Sequence, residues 1–182
     1  ILIPTDTLSL LPLHAARLPA WDAGGTETYA LDHYAFTYAP SAQALHHTRE
    51  AAKRPANTLL AVENPLGDLH YTPDEVQAVR AHFGEQAQHL PGQQATREAV
   101  RAAIPAANVL HFSTHGLAGW SNAESARLLL ANGGLTLREV YDLKLDRSRL
   151  AVLSACETAI PGLEHPDEMI ALPSGWMQAG VP

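Results

Sequence analysis

Two apolar runs that each stop abruptly at a reactive residue constrain this chain more than any other feature. Val109-Leu-His-Phe-Ser-Thr-His115-Gly116 and Leu150-Ala-Val-Leu-Ser-Ala-Cys156-Glu157-Thr158 both start with strand-like residues, Asn108 to Phe112 and Leu150 to Leu153, and end in a small polar turn. If the two strands are parallel neighbours, His115 and Cys156 arrive at the same edge of one sheet. The carboxyl edge of an open parallel sheet is where α/β proteins build their sites. A Cys-His dyad is therefore the expectation.

The rest of the chain supplies the strands and helices such a sheet needs. Thr58 to Val62 is a buried strand ending at Asn64-Pro65. Ser41 caps a helix that Pro55 stops, and Thr72 to Phe83 is the best helix, with Thr72 as cap, Pro73 in its first turn and Gly84 closing it. Ala95 to Ile104, with Thr96 capping Arg97 to Ala103, is another. Arg127 to Ala131 and Leu135 to Leu137 flank Asn132-Gly133-Gly134, a hairpin signal, and Thr136 to Leu143 reads as a short helix. Towards the ends, Ile1 to Pro4 and Leu8 to Leu10 suggest a hairpin around Thr5-Asp6-Thr7, and Pro12 to Ala16 one helical turn. Tyr34 to Tyr38 alternates like a strand, and Asp167 to Ala179 reads as a helix interrupted by Pro173. Strands alternate with helices at βαβ spacing, which predicts an α/β fold: a mostly parallel sheet covered on both faces.

Size and charge narrow the class. At 182 residues and 46% hydrophobic the chain can bury a sizeable core and reads as one domain over residues 1–182. It opens inside a strand-like run without Met and stops at Gly180-Val181-Pro182, so it reads as a piece cut at both ends, with its last strand or strands missing. A single cysteine precludes an intramolecular disulfide and points to a reducing, cytoplasmic setting. The formal charge of -7 gives no electrostatic case for nucleic acid, and no apolar run is long enough for a membrane helix. No cofactor is implied, since phosphate-binding Gly-x-Gly loops are absent.

Each reactive residue also has a plainer explanation. A lone cysteine is most often buried and inert, but the position of Cys156, after an apolar run and before Glu157-Thr158 and Pro161-Gly162, makes the thiol reachable. An adjacent imidazolium would favour the nucleophilic thiolate. Gly116 after His115 lets backbone approach a substrate carbonyl closely and present an N–H to an oxyanion. His111, four residues before His115, raises a zinc pair, but Phe-Ser-Thr between them is not the helical metalloprotease pattern, and no metal is expected. His14, His46, His47, His70 and His89 read as solvated. Ser154 lacks the Gly-x-Ser-x-Gly elbow of a serine hydrolase.

The pattern His115-Gly116 after one strand and Ser154-Ala-Cys-Glu-Thr158 after another resembles the CHAT domain, the caspase-like fold found with tetratricopeptide repeats. Ile3-Pro4 with Leu10-Leu-Pro12-Leu, Tyr38-Ala-Pro40-Ser41, Asn64-Pro65 and Ala179-Gly180-Val181 extend the resemblance along essentially the whole chain. It implies a caspase-like sheet sandwiched by helices and a cysteine endopeptidase acting on protein substrates through a thioacyl intermediate. Cys156 is then the nucleophile and His115 the general acid, with Gly116 and Cys156 supplying oxyanion N–H groups and Ser154, Ala155 and Glu157 around the substrate pocket. An acidic pocket would select Arg or Lys, with Asp22, Asp32, Glu157 and Asp167 eligible by charge. Control by an attached sensing or tetratricopeptide-repeat region outside the chain is a further implication. The alternative is a catalytically silent caspase-like interaction module.

Overall fold

The computed structural model describes residues 1–5, 8–9, 11–18, 27–158 and 171–181. Its centre is a four-stranded parallel sheet of β3 (Leu59–Glu63), β4 (Ala87–Pro91), β5 (Val109–Ser113) and β9 (Leu150–Ser154), in the order β4-β3-β5-β9. The chain steps outward from β3 to β4, crosses back to β5 on the other side, and continues to β9. The strand order thus reverses between β3 and β5, and the crevice at their carboxyl ends is where such sheets bind ligands.

Alternation along these strands separates two cores. Leu60, Val62, Leu110 and Phe112 face one way and pack with Val100 and Ala103 of α4 (Arg97–Ala103), Leu137 and Val140 of α5 (Leu137–Tyr141), and Leu172 and Trp176 of α6 (Leu172–Gln178). Phe112 and Trp176 meet with ring centroids 5.3 Å apart. Leu59, Ala61 and Val109 face the other way, against Val76, Val79 and Phe83 at α3 (Thr72–Ala81). Full burial of a side chain such as Leu or Phe stabilises by about 1.5–3 kcal/mol, and the larger cluster carries most of that term.

Capping residues set three helix starts, Ser41 and Thr96 as expected, and Thr136 as a cap where the sequence suggested the first residue of the helix. Ser41 accepts from Ala44 N–H ahead of α2 (Ala42–Ala51), Thr96 from Ala99 N–H, and Thr136 from Glu139 N–H, with Glu139 reaching back to Thr136 in a capping box. Thr72 is instead the first residue of α3, and its hydroxyl donates to the Leu69 carbonyl. Pro173 does not interrupt α6; it sits in the first turn, where a missing N–H costs nothing. Asp167 to Ile170 lie outside the described residues.

The hairpin around Asn132 is present: β7 (Arg127–Leu130) pairs antiparallel with β8 (Gly133–Thr136), and β6 (Gly116–Leu117) joins β7 to make a second, three-stranded sheet. Near the N-terminus, β1 (Arg17–Leu18) pairs with β2 (Thr28–Tyr29), followed by the short α1 (Ala30–His33). Tyr34 to Tyr38 does not form a strand; only Tyr38 bridges, to Leu2, so its alternating aromatics reflect no ladder. The hairpin expected around Thr5-Asp6-Thr7 lies partly outside the described residues. Strand β4 was not expected from the sequence. No helix among the described residues is long and apolar enough to cross a membrane.

Candidate active site

Parallel pairing of β5 with β9 brings the two reactive loops together. The register aligns Ser113 with Ser154, and Thr114 N–H continues the ladder to the Ser154 carbonyl at 3.3 Å. His115 and Cys156 are therefore the second residues beyond neighbouring strand ends. Contact between the loops is direct. A Cβ built on Gly116 would overlap the Cys156 carbonyl oxygen and stand 2.9 Å from Thr158 Cγ2 and 3.4 Å from Ala155 Cβ. Glycine is required here by space.

Gly116 also has an N–H in a useful place. Leu129 N–H donates to the His115 carbonyl at 2.8 Å and Gly116 is aligned with Leu128, so Gly116 is a non-hydrogen-bonded member of the β6–β7 pair. Its own N–H lies outside that ladder. Cys156 is exposed, in a turn beyond the sheet edge. The next residue, Glu157, has φ 57°, a left-handed conformation that disfavours non-glycine residues by roughly 1–2 kcal/mol. Its carboxylate accepts from Ala118 N–H at 3.2 Å, tying the Cys156 turn to the segment after Gly116.

His115 is oriented by a residue the sequence did not reveal. Its Nε2 lies 3.0 and 3.1 Å from the two carboxylate oxygens of Asp68, with the imidazole 34% and Asp68 57% exposed. A carboxylate only accepts, so Nε2 carries the proton it donates to Asp68, and Nδ1 is the nitrogen that Asp68 does not engage. Asp68 is held by the turn after β3. Asn64, at φ 42°, accepts at Oδ1 from the backbone N–H groups of Gly67, Asp68 and Leu69 at 3.0, 3.0 and 3.1 Å, and its Nδ2 donates to the Leu69 carbonyl. Asn64 N–H in turn donates to the Ser113 carbonyl at 2.8 Å. The signal available in the sequence was Asn64-Pro65-Leu66-Gly67-Asp68 after a buried strand, an Asx-turn composition at a sheet's carboxyl edge.

The remaining sequence-derived positions are dispersed. Ser154 is aligned with Ser113 at the strand end, Ala155 packs partly against the larger core, and Glu157 lies at the surface. Asp32 accepts from Tyr29 N–H at the start of α1; Asp22 and Asp167 lie outside the described residues. His111 and His115 do not share a site. His111 is 4% exposed and pairs with Glu75, whereas His115 turns to Asp68. His89, expected to be solvated, is half-buried and meets Glu63 of the adjacent strand at 2.7 Å.

A four-stranded parallel sheet flanked by helices, carrying His-Gly and Ala-Cys-Glu turns at adjoining strand ends, is a mixed α/β fold consistent with the caspase-like class. The CHAT domain family model matches residues 1–182, and the chain belongs to that family of caspase-like, peptidase-related domains. A search of curated proteins returns no match to the chain.

Proposed function

We propose that this CHAT domain is a cysteine endopeptidase that cleaves protein substrates through His115 and Cys156. The observation that carries the reading is the close packing of Gly116 on the Cys156 backbone, which brings an imidazole-bearing loop and a thiol-bearing turn to one sheet edge. In the first half-reaction the Cys156 thiol gives its proton to His115, and the thiolate sulfur adds to the scissile carbonyl carbon. The Gly116 and Cys156 N–H groups take up the oxyanion, and donors of this kind are worth about 3 kcal/mol each. As the intermediate collapses the C–N bond breaks, His115 gives a proton to the departing amine, and a thioester remains. Water then adds, its proton passing to His115. The C–S bond breaks, releasing the acid and regenerating the thiolate.

Asp68 fits this scheme as a positioning residue, holding the His115 ring by Nε2 so that the opposite nitrogen can serve the reacting groups. Ser154, Ala155 and Glu157 border the nucleophile, with Glu157 the charged one. Control by an attached sensing or tetratricopeptide-repeat region, action in the cytoplasm and a single-domain organisation over residues 1–182 are parts of the same proposal.

The test is covalent labelling by an irreversible peptidyl thiol probe, together with turnover of a fluorogenic peptide library. Cys156→Ala should abolish both, and His115→Ala should remove turnover and strongly slow labelling. Labelling that is indifferent to His115, with no turnover of any peptide, would mark the domain as a catalytically silent interaction module.

A further inference from the structure

Below the two loops lies a polar cluster with no part in the reaction described above. His111 and Ser113 of β5 point to the face covered by α3, and Ser113 is fully buried. Buried polar groups need partners, and both find theirs on one side chain from outside the sheet. Glu75, in the first turn of α3, accepts from Ser113 Oγ at 2.7 Å and lies 2.9 Å from His111 Nε2. Ser154, aligned with Ser113 on the neighbouring strand, turns its hydroxyl to the same face and also lowers the pKa of this carboxylate. Burial alone would push the Glu75 pKa up, yet the two serine hydroxyls and the His111 ring outweigh it and hold the carboxyl below its ordinary range. The group is thus kept as a carboxylate with its lone pairs engaged.

A part-buried polar tie could serve stability alone. Its points of attachment indicate more. Ser113 and Ser154 are the last residues of β5 and β9, aligned with each other, and each stands two residues before a reactive side chain. The β5 end is held from α3 through Ser113, the β9 end stands beside it at Ser154, and the segment leading into that helix also carries Asp68, the partner of His115.

We propose that Glu75 is a positioning residue of the His115–Cys156 site: its carboxylate clasps Ser113, His111 and Ser154, fixing the spacing of the two strand ends and so the register of imidazole and thiol. The inference rests on the peptidase reading of that site. It assigns Ser154 to the support beneath the nucleophile. Loss of the clasp lets the two loops drift relative to each other, and a misplacement of about 1 Å costs on the order of 100-fold in rate.

The experiment compares Glu75→Gln with wild type and His115→Ala, following alkylation of Cys156 by iodoacetamide between about pH 5 and pH 9, the range in which imidazole changes charge. His111 is the titratable group in direct contact with Glu75, and His111→Gln serves as the control for its own titration. In folded Glu75→Gln the alkylation profile should move towards that of His115→Ala, with kcat reduced roughly 10- to 100-fold and KM held within about twofold. A tie that serves only stability would lower the melting temperature and leave the profile in place. If Glu75→Gln superimposes on wild type while His115→Ala is displaced, the clasp is wrong and the dyad stands. If His115→Ala is not displaced either, the dyad itself fails and the clasp with it. Should Glu75→Gln not fold, Ser113→Ala and Ser154→Ala each remove one hydroxyl from the carboxylate, and unshifted profiles in both overturn the proposal.

Discussion

Replacing Gly116 by alanine is the sharpest perturbation of the site, because its effect follows from distances alone. The added methyl would stand 2.9 Å from Thr158 Cγ2 and overlap the Cys156 carbonyl oxygen, which as backbone cannot rotate aside. Restoring ordinary carbon contacts of about 3.5–4.0 Å requires the β6 strand and the Cys156 turn to part by roughly 1 Å. Over-packing of this size costs about 1–3 kcal/mol. In the proposed mechanism the Gly116 and Cys156 N–H groups would move apart by a similar distance, so turnover should fall on the order of 100-fold. Urea denaturation gives the first quantity as a lowered midpoint at unchanged slope, and probe labelling of Cys156 under native conditions gives the second. A Gly116→Ala protein with wild-type midpoint and wild-type labelling rate would refute the reasoning, since the loops could not then be in contact. Valine adds two methyls at the same place and should be worse on both counts.

Three further outcomes are expected. Asp68→Ala should reduce turnover about 10- to 100-fold by freeing the His115 ring, yet change stability by less than about 1 kcal/mol, because the pair is largely exposed; peptide kinetics and a thermal melt separate the two effects. Gly175→Ala should destabilise by about 1–3 kcal/mol without touching the site, since a Cβ there would run into the Leu137 side chain where α5 meets α6, and chemical denaturation measures it. Acid should weaken the fold through Glu139 as well as Glu75. Burial works against the Glu139 carboxylate, but the Thr136 N–H and hydroxyl, Arg97 and Arg101 overcome it and hold the group below its ordinary range. A carboxylate lowered in this way adds stability that is fully present above the unfolded-state value and disappears as pH falls through the folded one. Glu139→Gln should therefore be less stable than wild type near neutrality, with the difference closing in acid, as denaturation midpoints at several pH values will show.

The parts of the fold that could be read from sequence are those fixed by neighbours along the chain. Val109 to Phe112 and Leu59 to Val62 are buried on both faces and read as continuous apolar runs, while Ser41, Thr96 and Thr136 declare helix starts because a cap bonds only three residues ahead. Ala87 to Pro91 escaped notice because Gln88, His89 and Pro91 lack strand character. Among the described residues it is an edge strand, and His89 is tolerated there through Glu63 on the next strand. Tyr34 to Tyr38 misled for the opposite reason, having the composition of a strand without a neighbour to pair with beyond the single bridge.

At the site, His115, Gly116 and Cys156 were visible because each interrupts an apolar run. Asp68 and Glu75 were not, since a carboxylate's meaning depends on what the fold sets against it. Asp68 meets His115 across the crevice between β3 and β5, and Glu75 reaches the strand ends from a helix. Neither relation leaves a periodic trace.

The position of the two reactive residues within the sheet divides their mobility. β5 is flanked by β3 on one side and β9 on the other, so His115 extends from a strand that only unfolding of the whole sheet can release. β9 ends the sheet among the described residues, and none of its five residues is buried: Leu150, 45% exposed, and Ser154 are exposed and the three between them are partly buried. Amide exchange should accordingly be faster in β9 than in β5, by local opening rather than global unfolding. The imidazole is the fixed reference of the pair and the thiol its adjustable member, and whatever lies along the outer edge of β9 acts on the nucleophile before it acts on anything else.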